Sequence, residues 1–147
     1  MGGLGSSSGI QGSRNTEEML SALDALPNFG NRDRRTKQYA MKQNPLYQNA
    51  TPDEAIKAQG VDMSISGNAR DGGVVRNVDM SKVATTQPWV NTSAIRNSIQ
   101  NPGSHTYSTD TPVGVRYNGK VFLVDGNHRG VTAFLRGDKK LKVRIIN

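Results

Sequence analysis

The sequence predicts a small α+β domain, a mixed sheet with flanking helices, preceded by a mostly helical and flexible N-terminal arm. Three observations carry this expectation. From Pro112 onward the chain reads strand, tight turn, strand, turn, helix, strand. Apolar residues are thin before about residue 55 and dense after residue 112. Only 34% of the 147 residues are hydrophobic, where a fully packed globule has roughly 45–50% counting glycine. The expected organisation is therefore an arm over residues 1–60 and an α/β domain over 61–147, with a small core largely in the second.

Residues 1–15 are rich in Gly and Ser and read as a flexible segment. Asn15-Thr16-Glu17-Glu18 reads as a helix start, and Met19, Leu20, Leu23 and Leu26 follow at helical spacing until Pro27 and Gly30. A helix apolar on one side must dock, either on the domain behind it or on another chain, so a homo-oligomer or larger assembly through this arm is one expectation. Residues 31–42 hold Arg32, Arg34, Arg35, Lys37 and Lys42, with Tyr39 among them. Such a run suits contact with a phosphate backbone, and equally an ordinary solvated basic face. Thr51-Pro52-Asp53-Glu54 combines a capping threonine, a first-turn proline and a glutamate three positions after the cap, so a helix starts there. Gly60 is placed to end it near Gln59.

Residues 61–79 are polar and glycine-rich, with β-prone pieces such as Gly73-Val-Val-Arg76, and Asp79–Val83 is a candidate strand edge. Gln87-Pro88-Trp89-Val90 leads into an amphipathic helix over Asn91–Ile99, closed by Pro102-Gly103. Trp89 reads as a core plug beneath that helix rather than a base-stacking platform. A polar loop containing His105 runs to Asp110. Pro112–Tyr117 and Lys120–Val124 then alternate across Asn118-Gly119, a strong hairpin signal. A helix runs to Arg136 and stops at Gly137, and Leu141–Ile146 alternates as a final strand.

Between the second hairpin strand and that helix lies Asp125-Gly126-Asn127-His128-Arg129. A buried strand that turns straight into a helix presents the first N–H groups of the helix to an anion. Glycine permits close backbone approach, and histidine and arginine can bind or act on phosphate. As a phosphodiesterase, Asp125 would bind a divalent metal, His128 would act as general base or acid, and Arg129 would neutralise charge on the phosphate. In the structural alternative Asp125 caps the helix, His128 packs and Arg129 pairs with an acid. Asn127 would donate to phosphate or hold the turn.

Charge narrows the partners. The net charge of +7 suits nucleic acid, nucleotides or an acidic protein. The chain lacks cysteine, which excludes disulfides, thiol nucleophiles and cysteine zinc sites. With two histidines, a tight zinc site is not expected either, though a weak Mg²⁺ site from Asp125 and Asp110 is. No apolar run approaches the roughly 20 residues of a membrane span, and the first residues lack the pattern of a signal peptide. The expectation is a cytoplasmic protein without membrane contact.

At these residues the chain resembles the ParB/sulfiredoxin superfamily, whose compact α/β fold carries a strand–loop–helix box ending in a basic dipeptide. Asp125–Arg129 stands at the box, with Ala133, the Arg136-Gly137 stop and Lys142–Ile145 following. Gln87-Pro88, the helix Ser93–Ile99 and Thr111-Pro112-Val113 resemble the segments upstream of it. The likeness covers residues 76–147. It implies that Gly126, Asn127, His128 and Arg129 surround a phosphate, that Arg96 contributes, and that the ligand is a nucleotide such as ATP or CTP or a nucleic acid, with Mg²⁺ or Mn²⁺ at Asp125. Sulfiredoxins carry a cysteine where this chain has Asn127, and partition proteins a second arginine where it has His128. The version here is most similar to stand-alone ParB-like nuclease domains of phages and mobile elements, which act in a bacterial host. The expectation is thus a nuclease-type or nucleotide-hydrolysing domain. A non-enzymatic, virion-type binding protein that keeps the anion pocket, and a nucleotide-dependent kinase on the same fold, are the alternatives.

Overall fold

The computed structural model describes residues 12, 14–30, 40–102 and 111–147. Five strands form a mixed sheet in the order β2 (Val74–Asp79), β7 (Lys140–Ile145), β5 (Val113–Tyr117), β6 (Lys120–Asp125), β3 (Val83–Thr85). Neighbours β2–β7 and β5–β6 are antiparallel, whereas β7–β5 and β6–β3 are parallel. A separate antiparallel pair joins β1 (Met41–Gln43) to β4 (Trp89–Asn91). The helices are α1 (Thr16–Ala25), α2 (Pro52–Ser64), the single turn α3 (Gly67–Arg70), α4 (Thr92–Gln100) and α5 (Asn127–Arg136). The expected α+β class is the observed one.

Helices cover both faces of the sheet, which explains the unbroken apolar run in β6. Val121 and Leu123 point into the larger core with Met19, Leu23, Ile95, Ile99, Val131 and Leu135 of α1, α4 and α5. Phe122 points the other way, into a smaller core with Ala55 and Ala58 of α2 and Val113 and Val115 of β5. A strand buried on both sides has no polar alternation to show. Asn118 (φ 53°) and Gly119 (φ 80°) make the tight turn between β5 and β6, as their residue types foretell.

Several local expectations change. The helix at Thr51 does not stop at Gly60 but continues to Ser64. Gly60 has open space around it, and Asp62 beyond it is buried and paired with Arg70, so tertiary contact overrides the local cost of glycine. Residues 74–85 form two strands joined by a 3₁₀ turn at Met80–Lys82, not one strand edge at Asp79–Val83. Trp89 is not the core plug. It lies half-buried opposite Gln43, while its neighbour Val90 is fully buried. The described part of residues 1–60 is built into the domain: Met19, Leu23 and Leu46 belong to the larger core and Ala55 and Ala58 to the smaller. Helix α1, which had to dock somewhere, docks on α4 and α5. No helix among the described residues is long and apolar enough to cross a membrane.

Candidate anion site at the start of helix α5

Because β3 and β6 are parallel, both end at the same side of the sheet, at Thr85 and Asp125. From that side the chain enters α5 through Gly126, whose φ of 81° lies in the left-handed region. A Cβ there would also stand 2.7 Å from the Cα of Pro112, which leads into β5. Conformation and contact each demand glycine. As the N-cap residue, Gly126 offers no side-chain acceptor, and the first turn of α5 holds no acidic residue. Helices α1, α2 and α4 differ: Asn15, Thr51 and Asn91 each accept an N–H of their own helix.

The side chains of the box divide into those that build the turn and those that can meet a ligand. Asp125 is exposed and its Oδ1 accepts the Gly126 N–H at 2.8 Å. It shapes the turn rather than capping the helix. Asn127 is the hub. Its Oδ1 accepts from the Thr85 hydroxyl and, at 3.3 Å, from Nδ2 of Asn44. Thr85 and Asn44 are both fully buried. The Gln87 N–H donates to Thr85 Oγ1 at 3.1 Å and the Leu46 N–H to Asn44 Oδ1 at 3.0 Å. With two donors converging on its oxygen, the Asn127 amide is oriented oxygen-inward, so its two N–H donors lie on the other side. The two roles foreseen for Asn127, holding the turn and donating, are thus compatible.

His128 and Arg129 sit half-buried in the first turn of α5, and both residues take part in further contacts. The His128 carbonyl accepts the Thr132 hydroxyl at 2.7 Å. Gly130 lets this helix lie close on the sheet: a Cβ there would come within 2.5 Å of Leu123 Cδ1. Successive helical residues are about 100° apart, so Asn127, His128 and Arg129 fan out around the helix start and do not converge on one atom.

Two other residues expected to meet the ligand, Arg96 and Lys42, have partners elsewhere. Arg96 on α4 pairs with Asp24 of α1 at 2.8 Å, a clasp between two helices with no bond to the box. Lys42 donates to the Asp24 carbonyl at 3.1 Å and to Asn28 Oδ1 at 2.9 Å, holding the end of α1. Arg32, Arg34, Arg35, Lys37, His105 and Asp110 lie outside the described residues. No group of three metal-ligating side chains occurs among the described residues. A Mg²⁺ or Mn²⁺ ion at this turn would rest on Asp125 and on oxygens of its ligand, the usual mode for Mg²⁺ beside phosphates. Asn44 and Thr85 were missed from sequence, since nothing local marks buried polar residues that meet Asn127 from distant segments.

Comparisons of the chain with protein-family models, with curated proteins and with solved structures return no match.

Proposed function

We propose that this protein binds a phosphate-bearing ligand, a nucleotide or a nucleic-acid backbone, at the start of α5. The observation that carries the reading is the Gly126 cap: a helix that begins beyond the ends of two parallel strands with neither a capping side chain nor an acid in its first turn. Such a terminus has a partial positive charge that an external anion satisfies. The fixed Asn127 amide and the first-turn residues His128 and Arg129 add donors of the right sign and reach. The resemblance of Asp125–Arg129 to the ParB-like box points to the same residues, and the net charge of +7 favours polyanions.

Binding is the better-supported activity, and metal-assisted hydrolysis of a nucleotide or phosphodiester is the second reading. It is favoured by one observation, that a candidate base, His128, and a charge-neutralising group, Arg129, both lie in the helix turn that would meet the phosphate. The test is paired binding and cleavage assays with ATP, CTP and nucleic acid in Mg²⁺ or Mn²⁺, comparing wild type with His128→Ala and Arg129→Ala. Binding alone predicts salt-sensitive affinity that falls about tenfold in Arg129→Ala, a change of the size a charged hydrogen bond makes, with no turnover. Hydrolysis predicts turnover that drops on the order of 10²-fold in His128→Ala while affinity survives. Unchanged affinity in Arg129→Ala and Gly126→Ala would refute both.

A further inference from the structure

A second charged feature lies at the opposite end of α5. The helix has ten residues, so its carboxyl end is about 15 Å from the box at 1.5 Å per residue. There an open groove of about 470 Å³ runs between α5 and the 3₁₀ turn Met80–Lys82. Met80, which is buried, and Phe134, which is half-buried against the larger core, give it an apolar floor. Arg14 and Lys139 stand at its rim, and Ser81 supplies a hydroxyl.

The acids of the groove are already spoken for. Asp138 receives Nε and Nη2 of Arg136, the latter at 2.7 Å, and the Gly12 N–H at 2.9 Å. Asp79 receives Lys140 Nζ at 2.6 Å. Lys140 beside it, with a smaller contribution from Lys82, holds that carboxyl below its usual range, so it stays ionised and paired near neutral pH. What remains of the lining is cationic: Arg14 and Lys139 form no ion pair among the described residues. Arg14 is fixed in place, since its Nη1 donates to the Leu135 carbonyl at 3.0 Å and its N–H to the Arg136 carbonyl at 3.3 Å. Guanidinium has five N–H donors, and the helix end occupies one of them.

We propose that this groove binds a nucleotide unit, with the base against Met80 and Phe134 and the phosphate between Arg14 and Lys139. A cationic rim above an aromatic, apolar floor is the combination that sequence-tolerant nucleotide recognition uses, because every base has a π-face and every unit a charge. The volume lies within the range of ordinary small-ligand sites. Neither a bare anion nor an apolar ligand would use both parts. The site does not depend on the reading of the box. The nucleotide comes either from a free molecule or from a single strand, and the two are separable by experiment.

The test is amide NMR on the full chain at low salt, titrated separately with thymidine monophosphate, an eight-residue oligothymidylate and sodium sulfate at matched ionic strength. The groove predicts shifts at Ser81, Phe134 and Lys139 with a thymidine ligand and not with sulfate. Shifts with the monophosphate identify a free nucleotide as sufficient, and shifts with the oligomer alone identify a strand. The surface variant Lys139→Ala should weaken that binding at least fivefold, whereas Arg129→Ala should leave it unchanged. Sulfate reproducing the shifts would overturn the proposal, as would a saturating oligomer that moves only the amides of residues 126–130.

Discussion

Helices α2 and α5 begin in opposite ways. The start of α2 is sealed: Thr51 Oγ1 accepts the Glu54 N–H at 3.1 Å, Glu54 Oε1 accepts the Thr51 N–H at 2.9 Å, and Pro52 removes one donor altogether. Asn118 and Lys120 of the β5–β6 hairpin then close on the same glutamate. The start of α5 has a glycine at its cap and no acid. Both helices press on strand β6 from opposite faces, so packing does not explain the difference. One terminus supplies its own negative charge and the other leaves that charge to be supplied. A helix start with glycine in place of a capping side chain forgoes only a few tenths of a kcal/mol, and its N–H groups stay open to a ligand.

The largest break in this contrast should come from Gly126→Ala. Left-handed strain of about 1–2 kcal/mol adds to overlap with Pro112, itself worth about 1–3 kcal/mol, so a total loss of about 3 kcal/mol is expected in urea unfolding. Gly119→Ala sharpens the point, because that glycine has φ 80° with nothing within 4 Å of a Cβ. It should show the strain alone, about 1–2 kcal/mol. Next in size is Asn127→Ala. It removes the acceptor of the buried Thr85 hydroxyl and Asn44 amide, at about 1–3 kcal/mol, and should lower anion affinity in the same protein. Thr51→Ala should cost about 1 kcal/mol and leave anion affinity untouched, since the sealed terminus has no part in binding.

The smallest effect is read in acid. The Thr51 N–H, then Asn118, then Lys120 hold the Glu54 carboxyl at about 2, below its ordinary 4.5. A carboxyl depressed in the folded state stabilises the fold above its unfolded value, and that contribution disappears as pH falls from about 4.5 to about 2. Stability measured across that window should fall less steeply in Glu54→Gln than in wild type. Equal slopes would mean that the hairpin contacts contribute nothing to the sealed start.

The parts of the molecule legible in sequence are those whose cause is local. Asn118-Gly119 sets two positive φ angles and so the hairpin, Thr51 and Glu54 are three residues apart, and the strand–turn–helix at Asp125–Arg129 follows from one glycine between two patterned runs. The box could therefore be found. Its support could not. Asn44, Thr85 and Asn127 meet across three distant segments, and the parallel pairing of Val83–Thr85 with Val121–Leu123 leaves no local period to read. The ion pair of Arg96 was out of sight for a similar reason. Its helix was foreseen, but its partner Asp24 lies on α1, far away in sequence. Nor could the β-prone Val74–Arg76 show which strand would sit beside it.

That last pairing bears on how the protein is made. Strand β7 slots between β2 and β5, with Val78 opposite Leu141 and Val113 opposite Arg144. A nascent chain can form the Asn118-Gly119 hairpin as soon as it emerges, but β2 must wait, unpaired, until Lys140–Ile145 has left the ribosome. Losing Lys140–Ile145 would therefore do more than remove one strand. It would split the sheet, strand β2 with its exposed Val74 and Val75, and bare the flank of β5, leaving two open edges of the kind that recruit other chains into aggregates.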